Sequence, residues 1–449
     1  MQVTIIGTGY VGLTTAIALA YVGHDVTAVD KDQRKLTLLQ NGQCPIHEPG
    51  VDTLLAQIGA RIHFTDTLHD SVPHADVIFI AVGTPPKENG EADLQYVESA
   101  ACEIASALLP GQACTIVVKS TVPIGTNRRV IHLVERTLHE RNVQAHVSFA
   151  SNPEFLREGV ALRDTFYADR IVAGSDQPEA IEALSRLYRP ILEQTFLPPS
   201  FLPRTDGAPL PYLITTDLTS AEMTKYASNA FLPLKISFIN EIAGLCEKVG
   251  ADVTEVARGI GMDPRIGHRF LNAGIGWGGS CFPKDTAALI SVAAEYGYTM
   301  PLLAAAREVN DRQRLAVVDK LQSKLKGLRG RVIGVLGLAF KPNTDDVRDS
   351  PAIDIIRILI ERGAHVRAHD PVAVPNARRE LDGLDIQFVE QPSEVAIGAD
   401  GILLATEWDE YHTLNLAGMA KTMKNPLLVD GRNLYKPSDA RAAGMEYLG

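Results

Sequence analysis

Met1-Gln2-Val3-Thr4-Ile5-Ile6-Gly7-Thr8-Gly9-Tyr10-Val11-Gly12 decides the fold. Val3–Ile6 is a short apolar run rich in β-branched residues, which predicts a strand. Three glycines follow at once, and Leu13–Tyr21 carries the pattern of a helix. A second strand is predicted over Asp25–Val29, closed by Asp30. Strand, glycine turn, helix, strand and closing acid together form a dinucleotide-binding unit. Gly7 makes the tight turn, Gly9 lets a pyrophosphate approach, and Gly12 lets helix and strand pack closely. The phosphates would rest on the helix start at Tyr10 and Val11. Asp30 would accept from the ribose hydroxyls and repel a 2′-phosphate, which favours NAD over NADP. Lys31 and Arg34 beside it leave NADP open.

The same alternation continues outward. Val77–Val82, Thr115–Lys119, Val147–Ala150 and Ile171–Ala173 are predicted strands, with a helix such as Val97–Leu109 between. This α/β order predicts a largely parallel, doubly wound sheet with helices on both faces. A proline-rich stretch, Pro198–Pro211, marks a boundary. A long helix is predicted from Thr219 to Val249, with Thr219-x-x-Glu222 as a capping box, Gly250 as a stop and a kink at Pro233. Strand candidates Arg331–Leu336, His365–His369, Gly401–Ala405 and Leu427–Val429 then predict a second doubly wound domain. The chain of 449 residues thus reads as three domains: 1–200 for the cofactor, 201–310 central and helical, and 311–449 C-terminal.

Composition narrows the function class. Asp+Glu 54 against Lys+Arg 43 gives a net charge of −11, which argues against nucleic acid or an anionic membrane as partner. No apolar stretch is long enough for a membrane span, and the N-terminus enters a strand with no signal-peptide pattern. Cys44, Cys102, Cys114, Cys246 and Cys281 are odd in number and widely spaced. A disulfide framework or a metal site is therefore not expected, and a reducing, cytoplasmic setting is.

Chemistry gathers at Gly274-Ile275-Gly276-Trp277-Gly278-Gly279-Ser280-Cys281-Phe282-Pro283-Lys284-Asp285. Pro283 suits a first helical position, so Cys281 sits just before a helix start. The helix dipole and Lys284 both favour the thiolate, the form that attacks electrophiles. Thr84, Thr121 and Glu154 fall just after strands, where open α/β sheets bind ligands. Thr84 and Thr121 are equally suited to be turn residues ahead of Pro85 and Pro123. Lys225 and Asn229 share one helical face, and a snorkelling surface lysine is the plainer reading of Lys225. Lys341, Arg348 and Arg432 follow strands of the third part; they suit phosphates or simply face solvent.

The cysteine loop is similar to the active-site motif of the UDP-glucose 6-dehydrogenase family. So are Ser151-Asn152-Pro153-Glu154-Phe155-Leu156-Arg157-Glu158-Gly159, Ser220–Phe231, Gly337-Leu338-Ala339-Phe340-Lys341 and Asp430-Gly431-Arg432, so the resemblance covers essentially the whole chain. It implies a four-electron oxidation of UDP-glucose to UDP-glucuronate with two NAD⁺. Cys281 would hold the sugar first as a thiohemiacetal and then as a thioester. By the same resemblance Lys225 stabilises the oxyanion or shuttles its proton, and Asn229 orients the reacting oxygens. Asp285 supports proton transfer with Thr121 and a water, and Glu154 assists thioester hydrolysis. Gly7, Gly9, Tyr10, Val11, Gly12, Asp30, Lys35, Thr84, Thr121, Glu158, Lys284 and Arg348 match cofactor positions. Glu154, Phe155, Leu156, Arg157, Lys225, Asn229, Phe270, Leu271, Asn272, Gly274, Gly278, Lys341 and Arg432 match substrate positions. Arg265 matches an arginine inserted from a partner subunit, which implies a homodimer on the central domain. Leu232-Pro233-Leu234 departs from the smaller, more helix-friendly sequence expected there.

Three competing readings remain. Related enzymes run the same chemistry on GDP-mannose or UDP-N-acetyl sugars; Phe-Pro-Lys-Asp after the cysteine favours glucose. A two-electron hydroxyacid-type dehydrogenase needs no cysteine. A non-catalytic NAD-sensing or nucleotide-sugar-binding module needs none of Cys281, Lys225 and Asp285.

Overall fold

The structure is a computed structural model that describes residues 1–87 and 89–449. By internal packing they form two compact bodies, Met1–Ser228 and Asn229–Gly449.

The first body is built on a sheet of eight strands among the described residues. They are β1 (Gln2–Ile6), β2 (Asp25–Val29), β3 (Ile62–Thr65), β4 (Val77–Ile80), β5 (Ala113–Val118), β6 (His146–Ser151), β7 (Arg170–Gly174) and β8 (Tyr212–Thr216). Their order is β3-β2-β1-β4-β5-β6-β7-β8. Every pairing is parallel except β6 with β7, which meet through Ser151 and Gly174 alone. The first six strands have the 3-2-1-4-5-6 order of a doubly wound dinucleotide fold, whose switch point lies between β1 and β4. Val3, Ile5 and Val77 pack on one face with Leu13, Ile17 and Leu184; Ile6, Ile78 and Ile80 pack on the other with Val97 and Ile104. Burial of both faces is why these strands read as unbroken apolar runs. The expected strands are present, but this sheet runs past the proline-rich stretch. β8 follows it and adds to the sheet beside β7.

The second body repeats the design. Strands β9 (Val332–Leu336), β10 (His365–His369), β11 (Ile386–Phe388), β12 (Gly401–Leu404), β13 (Leu427–Asp430) and β14 (Glu446–Leu448) lie in the order β11-β10-β9-β12-β13-β14, all parallel. Its core joins Ile333, Val335, Leu403 and Val429 to Ile355, Ile356, Leu359 and Leu321. Helix Pro301–Leu325 packs along this domain, so the expected boundary at 310/311 falls within one helix.

The long helix runs over Leu218–Val249, unbroken at Pro233. Gly250 ends it at φ +77°. Its expected capping box is not formed. Ser220 N–H and its hydroxyl bond to Asp217, which caps the helix from outside. Glu222 reaches away to accept from Gly125 N–H at 2.6 Å and Asn127 N–H at 2.8 Å, at the start of helix Thr126–Glu140. A buried carboxylate meets more unpaired donors there than on its own helix.

Candidate active site

At the head of the first body the three glycines divide their work. A Cβ on Gly7 would lie 2.6 Å from Ala81 O, and one on Gly12 would lie 1.8 Å from Gly7 O. Both are demanded by the protein's own packing. A Cβ on Gly9 would meet nothing within 4 Å. That open space faces the start of helix Tyr10–Tyr21, which has no side-chain cap and no acid in its first turn. This is the setting an anionic pyrophosphate requires. Asp30 follows β2 and accepts from Thr8 N–H at 2.8 Å, the Thr8 hydroxyl at 2.6 Å and Asp32 N–H at 3.0 Å. Lys35 Nζ is 3.6 Å away. Burial pushes the Asp30 carboxyl up, but these donors and Lys35 outweigh it, so it titrates below its ordinary value. The residues present therefore fit a dinucleotide with free ribose hydroxyls.

The exits of β4 and β5 are tied together, because the Thr84 hydroxyl donates to Thr121 O at 2.9 Å. After β6 the chain turns through Asn152, Pro153 and Glu154, all buried. Glu154 Oε1 pairs with Lys225 Nζ at 2.9 Å, and its other oxygen accepts from Leu156 N–H. Lys225 is therefore not a snorkelling surface residue; its side chain is 4% exposed. Its ammonium is 5.3 Å from the Phe155 ring, and the Arg170 guanidinium stacks on that ring at 3.8 Å. Arg157 makes a two-pronged bond with Asp164. Glu158 lies half-buried on the same turn. Sequence reasoning missed Glu48, whose carboxylate accepts from Gly159 N–H at 2.6 Å and Ala161 N–H at 2.7 Å and so fixes the far end of this turn. Its segment, Cys44–Gly50, carries no periodic pattern that would have revealed it.

In the second body Cys281 stands at the N-cap of helix Phe282–Glu295, as expected, with Pro283 second rather than first in the helix. Its carbonyl accepts from Asp285 N–H at 2.8 Å, and its Sγ is 3.6 Å from the Ser280 hydroxyl. Asp285 is 1% exposed. Asn229 Nδ2 donates to its Oδ2 at 2.6 Å, and Lys284 Nζ to its Oδ1 at 2.6 Å. The Lys284 charge is thus engaged by a carboxylate rather than standing alone beside the thiol. The arrangement offers a partly exposed thiol at a helix start, above a buried carboxylate held by an amide and an ammonium. That chemistry suits a nucleophile served by a proton-transfer group.

The loop leading to Cys281 is clamped on two sides. Asn310 accepts from Trp277 N–H at 2.7 Å and donates to Trp277 O at 3.0 Å, while Arg307 donates to Pro283 O at 2.9 Å. On the other side Ile275 N–H bonds to Gly431 O, and Gly279 N–H to Arg348 O. A Cβ on Gly274 would lie 2.6 Å from Gly431 O, and one on Gly278 would lie 2.0 Å from Asp349 O. Arg432 bonds Ala405 O through Nε at 2.7 Å and Gly276 O through Nη1 at 3.3 Å, with Glu407 at 3.2 Å. Lys341 Nζ is 5.6 Å from the Phe340 ring, which packs on Gly279. Arg348 pairs with Asp346. Phe270 has φ +66°, and its ring is 6.3 Å from that of Phe282. Leu271 is buried beside Ile239 and Ala273, and Asn272 is exposed. Arg265 is exposed and bonded to Asp263. Asp370, which closes β10 as Asp30 closes β2, was also missed. Its carboxylate takes the amides of Leu338, Ala339, Val372 and Ala373 and the Trp408 indole N–H. In this sheet the acid holds its own loops.

Among the described residues no group of three or more His, Cys, Asp or Glu is placed to hold a metal ion, and no helix is long and apolar enough to cross a membrane.

Comparison with known proteins agrees along the whole chain. Residues 1–192 match the NAD binding domain of the UDP-glucose/GDP-mannose dehydrogenase family, residues 219–312 its central domain and residues 334–437 its UDP binding domain. The UDP-glucose 6-dehydrogenase of Rhizobium meliloti is 48% identical over 455 residues, covering 100% of this chain and 98% of the relative. The UDP-glucose 6-dehydrogenase YwqF of Bacillus subtilis is 44% identical, covering 100% and 97%. A UDP-glucose dehydrogenase from the archaeon Pyrobaculum islandicum superposes with a TM-score of 0.88 at 40% identity, covering 100% of this chain and 96% of that one. With its NAD-binding body, its cysteine loop and its UDP-binding sheet, the chain belongs to the UDP-glucose/GDP-mannose dehydrogenase family.

Proposed function

We propose that this chain oxidises UDP-glucose to UDP-glucuronate through a covalent intermediate on Cys281. The observation that carries the reading is Cys281 at the head of its helix, with its backbone on Asp285 and Asp285 held by Asn229 and Lys284. A two-electron dehydrogenase has no use for that thiol. The Gly7–Gly12 turn, Asp30, Lys35, Thr84, Thr121, Glu158, Lys284 and Arg348 would hold the cofactor. When bound, NAD⁺ supplies the hydride acceptor for each of two oxidations.

The chain's own residues do the rest. Cys281 Sγ bonds to C6 of the sugar aldehyde as a thiohemiacetal, whose oxyanion is stabilised by the Lys225 ammonium. After the second oxidation C6 is held as a thioester. Water then adds to C6 with Glu154 accepting its proton, and the C–S bond breaks to return the thiol and release the carboxylate. Asn229 orients the reacting oxygens, and Asp285 moves their protons with Thr121. Lys341, Arg432 and the Phe270–Gly278 loop would hold the UDP moiety, with Phe155, Leu156 and Arg157 toward the sugar.

A homodimer is supported by an apolar stripe on the long helix. Phe231, Phe238 and Leu245 recur every seven residues and are 60%, 52% and 57% exposed. Arg265 would then serve the partner's substrate. A cytoplasmic setting suits five cysteines that form no disulfide among the described residues.

The test is NADH release across a panel of nucleotide sugars, with NAD and NADP compared. Two NADH per UDP-glucose are expected. One NADH per sugar, or turnover of GDP-mannose or a UDP-N-acetyl sugar in place of UDP-glucose, overturns the proposal.

A further inference from the structure

Lys119 follows β5 and is only 7% exposed. Its Nζ donates to Asn152 Oδ1 at 3.1 Å and lies 3.5 Å from Tyr188 Oη. The ring centres of Phe79 and Tyr188 are each 5.9 Å away. Asn152 is itself fixed, since its Oδ1 accepts from Tyr188 Oη at 2.6 Å and its Nδ2 donates to Val172 O at 2.7 Å. The two rings attract the ammonium only weakly at that distance, while burying its charge is costly, so an apolar side chain of the same length would fill this space with less penalty. Its presence calls for a reason beyond packing.

The reason lies two residues along the turn. Lys119 grips Asn152, while Lys225 grips Glu154 at 2.9 Å. Two ammonium groups from different elements thus act on one short segment, and all four side chains are buried. We propose that Lys119 is a positioning residue for Glu154: anchored on Asn152, two residues before Glu154, its ammonium adds a second buried positive charge to that of Lys225 and keeps Glu154 a carboxylate ready to take a proton. This rests on the reading of Glu154 as the base for thioester hydrolysis.

The electrostatics agree. Burial pushes Glu154 up, but Lys225, the Leu156 amide and Lys119 together bring it below its ordinary value. Burial also lowers Lys119, to about 8, with Glu154 opposing the shift and Lys225 adding to it. Tyr188, the other titratable group packed against Lys119, is pushed far up by burial and stays neutral. Glu154 therefore has the support of Lys119 at neutral pH and loses it as pH rises through about 8.

Two measurements on the full chain test this. The first is a double-mutant cycle in urea unfolding at pH 7, combining Lys119→Met with Glu154→Gln. Loss of stability on Glu154→Gln should be smaller when residue 119 carries no charge... the expected result being a reduced penalty, because one stranded ammonium has been removed. Additive losses overturn the proposal, and Lys119→Gln provides the same cycle should the methionine variant not fold. The second is the pH dependence of kcat with UDP-glucose. Lys119→Met should move the acid limb to higher pH with KM for UDP-glucose unchanged, and Lys119→Arg, which keeps the charge, should restore it. An unmoved limb overturns the proposal. Absence of turnover in the wild type would overturn the functional reading alone, and the unfolding cycle would then decide on Lys119.

Discussion

Lys225 and Glu154 form a buried ion pair: Nζ lies 2.9 Å from Oε1, and the two side chains are 4% and 6% exposed. Breaking such a pair strands a charge away from water, at a cost of about 3 kcal/mol or more. Glu154→Gln should therefore lower the unfolding free energy by ~3 kcal/mol at pH 7. The pH dependence has a definite sign. The folded state holds Glu154 below the ordinary glutamate value of 4.5, so the pair's stabilisation is complete above that value and is lost as pH falls below it. The glutamine variant should lack this component of acid-side loss. Urea titrations from pH 3 to 7 measure both effects, and a variant within about 1 kcal/mol of wild type at pH 7 would contradict the pair's role.

Cys281→Ser separates binding from chemistry. The serine hydroxyl fits the same N-cap position but is a much weaker nucleophile at neutral pH than a thiolate. UDP-glucuronate formation should fall to background, while UDP-glucose still binds by calorimetry with near wild-type affinity. Retained turnover would move the chemistry to another group.

Asp285 receives Asn229 Nδ2 and Lys284 Nζ, each at 2.6 Å, in a place 1% exposed. Asp285→Asn keeps the shape but removes the charge and the capacity to carry a proton. A positioned acid–base group is worth about 100-fold or more in rate, so kcat should drop by at least that factor with UDP binding intact. A loss below about tenfold would make Asp285 a structural residue only.

The sequence showed most plainly what is built from neighbours. β1, its glycine turn and Asp30 lie within 30 residues, and both faces of the central strands are apolar, so their pattern is strong. The four strands that went unread, β3, β8, β11 and β14, are the four edges of the two sheets. Edge strands bury less: β8 has no fully buried residue, and β11 has none either. Of the site, Cys281 and Asp285 were legible because loop, helix start and charge are contiguous. Glu48, Glu222 and Asn310 were not, since each acts on a segment many residues away, and Asp370 was not, since three of its five donors lie more than thirty residues off. Glu222 in particular matched a local capping rule that a distant helix start overrode.

Asn310 gives that class of residue a test. Its side chain satisfies both backbone groups of Trp277, and a Cβ on Gly276 would come within 2.5 Å of its Oδ1. Asn310→Leu keeps the branched shape but leaves the buried Trp277 N–H without a partner and its C=O with only the Arg314 guanidinium at 3.3 Å. The expected loss is about 2 kcal/mol in urea unfolding, with a larger fall in kcat than in UDP affinity as the cysteine loop loosens. A variant as stable and as active as wild type would show that the loop is held elsewhere.

Phe231, Phe238 and Leu245 lie two helical turns apart in succession and stay exposed in the single chain. Covering the exposed half of one such side chain is worth about 1–1.5 kcal/mol, so a stripe repeated on both copies can hold them together. An aspartate in its middle would bring an unpaired carboxylate into a dry contact, which opposes association. Phe238 lies outside the packed core, so Phe238→Asp should leave the fold of each chain intact. Sedimentation at micromolar concentration should show a wild-type dimer and a monomeric Phe238→Asp. If Arg265 serves the partner's substrate, the monomer should also show a raised KM for UDP-glucose at unchanged melting temperature. A wild type that sediments as a monomer, or a variant that stays dimeric, would remove the stripe as the interface.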